Sequence, residues 1–352
     1  QATGAPVRIG ALLSVTGGMA GVGVPERDGV LLAAKALNAR GGIGGRPVEI
    51  VIEDDASNPD AAIPKINRLI HTEKVKAIIG PSGIAATVAV GAITQPLNLP
   101  LVAFTGLGPA VEKSRTCVFH LTPAQELNAR SLLTYARSIK ATKLGVLHDS
   151  GYGQVIWNAM KDLGKDYGVT FTQVEKFDIA ATDATAQAAK IRASAPDAVL
   201  VLSTSAVPFR NLRQVKLPGP IISVHGTATY QYVKAMGEAA DNIVHAEFLI
   251  AEDPLPNQKE FVETFRKEHG VLPKHFEAAG WDAVMMVAKA IATAGVDAPN
   301  EKLCATLRAP YDGVMTRWDF SQPDMGGLTL GSFTYSRLEN GRFKRLDFKA
   351  AQ

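Results

Sequence analysis

What is scarce in this chain sets the first limits. No apolar run approaches the roughly 18 residues that suggest a membrane span, so the chain is not itself membrane-spanning. Its 37 Lys and Arg nearly balance 34 Asp and Glu, leaving a net charge of +3. The basic residues are scattered rather than clustered, so nucleic acid is not expected as a partner. The seven histidines form no HExxH or similar ligand set, and neither a metal nor another cofactor is expected. Only two cysteines occur, Cys117 and Cys304. They fit an oxidising or a reducing compartment, as one disulfide or as two buried thiols. There is no initiating Met and no signal peptide. The polar start QATGAPVRIG reads as that of a mature chain or a trimmed fragment, and a mature chain implies export.

What is present suffices for two domains, since 352 residues exceed the roughly 100–200 of one. The stretch 77–110, AIIGPSGIAATVAVGAITQPLNLPLVAFTGLGPA, organises the rest. It reads as a strand at 77–79, a glycine turn at 80–83, a helix at 84–97, a strand at 101–104 and a second glycine turn at 105–109. The helix carries no charge, so both its faces are expected to be covered. Sheets of this kind place ligands outside the carboxyl ends of their strands. Both glycine turns sit at such ends. The first also aims free N–H groups of a helix start there, which suits a carboxylate or another small anion.

Upstream, 7–13 is a continuous apolar strand and 25–39 a helix. A second strand at 48–52 runs into Glu53-Asp54-Asp55, and a helix at 59–71 has Asn58 as its N-cap. This alternation implies a parallel sheet with helices on both faces. It restarts at 125 and continues to 237 as a second doubly wound unit. Helices at 257–268, 277–294 and 300–307 have no strands between them and are expected to return to the first lobe. Asn340-Gly341 marks a two-residue hairpin. The expected fold class is therefore α/β, with two doubly wound parallel-sheet lobes joined by a multi-strand hinge. Lobe 1 spans 1–120 plus 249–329 and lobe 2 spans 121–248 plus 330–352. Crossings near 119–123, 245–249 and 328–332 would let the lobes close around a ligand.

No enzyme motif survives inspection. Gly80-Pro81-Ser82-Gly83 lacks the GK[ST] of a phosphate loop, and Gly21-Val22-Gly23 lacks the third glycine of a dinucleotide fingerprint. His148-Asp149-Ser150 spells three triad letters, but adjacent residues on one strand end cannot form a triad. Cys117 and His120, three apart on an extended segment, face opposite ways and are expected in the core. Glu53-Asp54-Asp55 reads first as a solvated acidic turn and only second as a cation site.

Several segments in order resemble the solute-binding proteins of ABC transporters, of the leucine/isoleucine/valine-binding family with the type I periplasmic-binding fold. They are VRIGALLSVTGGMAGVG, LNARGGIGGRPVEIVIEDDASNP, AIIGPSGIAAT, LPLVAFTGLGPAVEKS, LGVLHDSGYGQ and AAGWDAVMMVAKAI. The resemblance spans nearly the whole chain. It implies a two-lobed clamp without catalysis, export to the periplasm or cell surface, and delivery of a small-molecule ligand to ABC permease subunits; a periplasmic monomer is expected.

The resemblance also carries site positions. Ile84 matches a Ser, and Leu107 a Thr, whose hydroxyls hold the ligand carboxylate in amino-acid binders. Both hydroxyls are gone here, but the backbone N–H groups of Ile84, Ala85 and Leu107 remain. Thr105 matches the carbonyl that takes the ligand's ammonium, and His225 matches the acid that pairs with it. A histidine is neutral or positive, so an α-amino acid would lose its counter-charge. Tyr152 matches a ring closing over the ligand, Phe276 an aromatic near its side chain, and Val22 a Tyr of the first loop. Ser203, Thr204 and Ser205 end a strand and can donate hydrogen bonds, and Gly226 follows His225. A mostly apolar pocket of this kind suits aromatic or branched ligands. The expected ligand is a small carboxylate, first an aromatic acid of the benzoate or phenylpropanoid type. A branched-chain or other aliphatic amino acid is the alternative, with Asp149 or Glu277 taking the ammonium. A ligand-sensing domain is the second alternative.

Overall fold

The computed structural model of the chain describes residues 3–106, 116–322 and 326–351. The chain divides into two compact units, Gln1–Ala124 with Pro256–Leu328 and Gln125–Leu255 with Thr329–Gln352. Residues 249–255, expected in the first lobe, thus fall in the second unit, and 121–124 fall in the first.

In the first unit β1 (Val7–Leu13), β2 (Val48–Asp54), β3 (Ile78–Ile79), β4 (Leu101–Ala103) and β5 (Val118–His120) form one sheet in the order β2-β1-β3-β4-β5. Every pairing is parallel. The connecting helices among the described residues are α1 (Ala20–Ala39), α2 (Pro59–Asn67) and α3 (Ile84–Thr94). β1 reads VRIGALL because it is covered on both faces; all but Arg8 of its seven residues are buried. Its Leu12 joins Ile66, Leu69, Ile78, Val90 and Leu101 in one apolar cluster under the helices. Asn58 caps α2, its side chain accepting the Asp60 N–H at 2.9 Å.

Two expectations about this unit fail. α1 starts at Ala20, five residues early, with Pro25 inside it. Glycines and a proline signal a loop locally, but Gly23 serves a close contact: a Cβ there would lie 2.1 Å from the Ser14 carbonyl oxygen. α3 is not covered on both faces, since Ala85, Val88 and Ala92 are exposed. Absence of charge does not imply burial, because much of any protein surface is apolar.

The second unit repeats the plan. α4 (Gln125–Ser138), β6 (Lys143–Asp149), α5 (Tyr152–Met160), β7 (Thr170–Phe177), α6 (Thr185–Ala193), β8 (Ala198–Leu202), α7 (Val207–Gln214), β9 (Ile221–Val224), α8 (Tyr230–Met236) and β10 (Ile243–Glu247) follow in order. Leu147, Ile191, Val199, Phe209 and Ile221 belong to its core. The chain then returns to the first unit as α9 (Lys259–His269), α10 (His275–Ala294) and α11 (Asn300–Leu307), with a small ladder of β11 (Tyr311–Asp312) and β12 (Arg317–Trp318). α10 lies close on α1, where a Cβ on Gly280 would come within 2.2 Å of the Glu26 carbonyl oxygen. Cys117 and Cys304 are joined in a disulfide, Cα atoms 5.4 Å apart, tying α11 to the start of β5. Finally β13 (Thr334–Glu339) and β14 (Arg342–Arg345) add antiparallel to the second sheet, giving β14-β13-β10-β9-β8-β6-β7. Asn340 and Gly341, with φ of 51° and 75°, make the turn between them.

Candidate functional site

Parallel pairing brings the carboxyl ends of a sheet's strands to one edge. In the first unit that edge carries Ser14 after β1, Asp55 after β2, the turn Gly80–Gly83 after β3, and Thr105 after β4. Gly80 turns with φ 96°, and a Cβ there would lie 2.0 Å from the Leu12 carbonyl oxygen, so only glycine fits. Ile84 and Ala85 occupy the first turn of α3, which has no side-chain cap. Their N–H groups are therefore among the donors a helix start leaves unmade. Thr105 lies beside this turn, its Oγ1 donating to Thr87 Oγ1 at 3.2 Å, and its carbonyl is already bonded by His120 Nδ1. Leu107, the other position expected to supply an amide, lies outside the described residues.

Behind this edge runs a buried polar chain. Ser82 Oγ accepts the Ser14 N–H at 3.0 Å and donates to Glu26 Oε2 at 2.5 Å. Ser14 Oγ donates to Asp55 Oδ1 at 2.7 Å. Burial pushes the Glu26 carboxyl up to about 8, against the Ser82 hydrogen bond, with Asp55 and Glu277 adding to the rise. Glu26 is therefore mostly protonated at neutral pH. The neighbouring acids are spent on structure. Glu53 pairs with Lys65 at 2.9 Å and Arg68 at 2.5 Å. Asp54 accepts the backbone N–H groups of Val15, Thr16 and Ala56. The acidic turn thus fastens the loop after β1. Val22 is buried on α1 rather than in a loop, and Phe276 is half-buried at the start of α10, its ring 4.1 Å from that of His275.

In the second unit the corresponding edge carries Asp149 at the end of β6, and the run Ser203–Ser205, His225 and Phe248 after β8, β9 and β10. Asp149 is fully buried, with Oδ1 accepting the N–H groups of Gly151 (2.9 Å) and Gly153 (2.8 Å) and Oδ2 that of Thr204 (3.0 Å). His148 turns its Nδ1 to the Asp149 carbonyl, so the three triad letters form a turn. Gly153 cannot be replaced cheaply, because a Cβ would lie 1.8 Å from the Leu202 carbonyl oxygen. Ser203 Oγ accepts the Ser205 N–H and Ser205 Oγ accepts that of Val207, so these hydroxyls shape the turn into α7. The Thr204 hydroxyl has no partner among the described residues.

Tyr152, Thr204, His225 and Gly226 come together here. A Cβ on Gly226 would stand 3.4 Å from both Thr204 Cγ2 and Tyr152 Cε1. The His225 ring meets Tyr152 edge-on at 6.4 Å and Phe248 at 5.4 Å. Burial pushes the His225 imidazole down to about 4, so it is neutral at neutral pH. The Tyr152 hydroxyl is buried and approaches the Asn128 amide without reaching hydrogen-bond geometry. Sequence reasoning missed Phe248, Asn128, Ser14, Ser82 and Glu26. Glu26, one of two acids in an otherwise mostly apolar and glycine-rich helix, was the one signal available.

Residues 6–329 match the family model described as periplasmic binding protein. A Pseudomonas aeruginosa protein named amino acid binding protein is 26% identical over 351 residues, covering 97% of this chain and 93% of its own. The Streptococcus pneumoniae branched-chain amino acid transporter substrate-binding protein LivJ, solved with isoleucine, superposes with a TM-score of 0.85 at 23% identity, over 97% of this chain and 100% of that one. A solute-binding protein of an R. palustris ABC transporter, solved with benzoate, gives the same TM-score of 0.85 at 20% identity, over 97% and 95%. Two parallel-sheet units and a family match over nearly the full length lead to one conclusion: the chain belongs to the periplasmic binding protein family, the solute-binding receptors of ABC-type transport.

Proposed function

We propose that this receptor captures a small carboxylate that has no ammonium group, an aromatic acid of the benzoate or phenylpropanoid type, for ABC import. One observation carries the reading. Asp149, a buried acid of the second unit's strand edge, gives both oxygens to backbone N–H groups. The resemblance puts His225 where the family keeps its ammonium-pairing acid, and that imidazole is uncharged. Glu277, the other acid weighed for an ammonium, accepts the N–H of Lys274 at 2.9 Å, and burial raises it to about 7. In the first unit the Thr105 carbonyl already serves His120. The N–H groups of Ile84 and Ala85 would hold the carboxylate, a role that needs no particular side chain. Tyr152, Thr204, Ser203, Ser205, Gly226 and His225 would face the rest of the ligand with rings and few polar atoms. Val22 and Phe276 would add apolar surface.

On this reading the protein is not an enzyme, works in the periplasm as a monomer, and hands its ligand to permease subunits. No helix among the described residues is long and apolar enough to cross a membrane. The benzoate complex of the R. palustris protein is a precedent for such a ligand on this fold.

The test uses protein unfolded and refolded to remove any ligand carried through purification. Thermal melts are then compared with benzoate-type acids and with aliphatic amino acids. Ligand at about a hundred times its dissociation constant adds roughly 2.7 kcal/mol of stability. Shifts with the aromatic acids alone are expected. Shifts with leucine or valine and none with benzoates would return the reading to an amino-acid receptor, as the Pseudomonas relative's name suggests.

A further inference from the structure

The second unit has another concave surface, at the opposite edge of its sheet. Ala141 precedes β6, Asp197 precedes β8, Pro220 precedes β9 and Asn242 precedes β10; all four line one cavity of about 660 Å³. That volume falls within the roughly 300–1,000 Å³ of small-molecule sites. It lies at the amino ends of the strands, whereas the edge described above lies at their carboxyl ends.

Its polar lining is mainly cationic. Lys140, Arg213 and Arg337 face it, against the single acid Asp197. Asp197 is half engaged: its Oδ2 accepts the backbone N–H groups of Thr142 at 3.0 Å and Lys143 at 2.9 Å. Arg213 is half-buried and held in place, Nη2 donating to the Asp241 carbonyl at 2.6 Å and Nε to that of Ala239 at 3.4 Å. Its Nη1 keeps no partner among the described residues. The Arg337 and Lys140 side chains make no hydrogen bond or ion pair among the described residues either.

The sheet register sharpens the point. Arg337 stands directly opposite Lys344 across the β13–β14 ladder, and like charges so placed are destabilising. Lys344 is relieved by Glu339 at 3.3 Å; Arg337 is not. Its other neighbour is the buried Val244, which also lines the cavity. The guanidinium of half-buried Arg337 is thus set against a cation and has no polar partner in the fold. Planar guanidinium forks with free N–H groups match the oxygens of carboxylates and phosphates.

We propose that this cavity is a second binding site, for a small anion bearing two or more negative charges on carboxylate or phosphoryl oxygens. The site is separate from the solute edge of the same unit, so its occupancy does not require the solute assignment to be right.

The test is isothermal titration of the full chain with citrate and with inorganic phosphate, each at ionic strength matched with sodium chloride. Saturable 1:1 binding of at least one probe, with a dissociation constant on the order of 1 mM or tighter, is expected. Citrate binding more tightly points to a polycarboxylate, and phosphate binding more tightly to a phosphoryl ligand. In the double variant Arg337→Gln/Lys140→Gln that binding should weaken at least about tenfold, while the melting temperature does not fall and the solute titration stays as in the parent. Neither residue supports the fold through a polar partner, so the variant should fold. Absence of saturable binding by both probes overturns the proposal. So does binding unchanged in the double variant, because citrate would then be occupying another site.

Discussion

Replacing Glu26 by Gln should make this protein more stable at alkaline pH. Glu26 is fully buried between Ser82 and the start of α10, and burial lifts its carboxyl from the ordinary 4.5 to about 8. The folded state therefore holds a proton that the unfolded chain releases above about pH 4.5. The stability tied to that proton is fully present below the unfolded value and is lost as pH rises to the folded one. The loss runs at about 1.4 kcal/mol per pH unit. Across the window from 4.5 to about 8 it amounts to roughly 5 kcal/mol, of which about 3 is gone by pH 7. Gln keeps an acceptor for the Ser82 hydroxyl and cannot ionise. Urea unfolding of parent and variant from pH 5 to 9 gives the answer. The variant's advantage should widen toward pH 8 and then level off. Parallel stability curves would refute the reasoning, because they would mean Glu26 ionises in the fold as freely as in the unfolded chain.

Other perturbations act on single contacts. Asp149→Ala strands the N–H groups of Gly151, Gly153 and Thr204; a loss on the order of 3 kcal/mol or more is expected by denaturant titration. Gly153→Ala places a methyl 1.8 Å from the Leu202 carbonyl, which should cost about 1–3 kcal/mol and be visible as a lowered melting temperature. Reducing the disulfide between Cys117 and Cys304, 187 residues apart, frees a long loop in the unfolded chain; calorimetry with and without reductant should differ by about 2–5 kcal/mol. His225→Ala should weaken binding of an aromatic acid that carries a ring hydroxyl, measured by isothermal titration; unchanged affinity removes His225 from the ligand's surroundings.

Much of the fold was legible because its signals are local. Apolar runs such as Val7–Leu13 and Ala198–Leu202 declare strands buried on both faces, and regular alternation with helices declares parallel sheets. Asn58 and Asn340-Gly341 acted through their own backbone neighbourhoods. The start of α1 was not legible, because Gly23 serves a close approach to Ser14 on the strand side of the turn and Gly29 one to Glu277, far away in sequence. Nor was the exposure of Val88, since composition does not say which face of a helix meets a neighbour.

The same division runs through the site. The sequence by itself determined which backbone turns end the strands and that a histidine, not an acid, follows β9. Only the tertiary structure decided that both oxygens of Asp149 are engaged by backbone N–H groups, that the Thr105 carbonyl is bonded by His120, and that Cys117 meets Cys304. Only it gathered Lys140, Arg213 and Arg337, spread over nearly 200 residues, around one cavity. The reason is physical. Local propensity is written in residues a few positions apart, whereas the state of a charge depends on which distant groups close around it, and that is known only once the chain has folded.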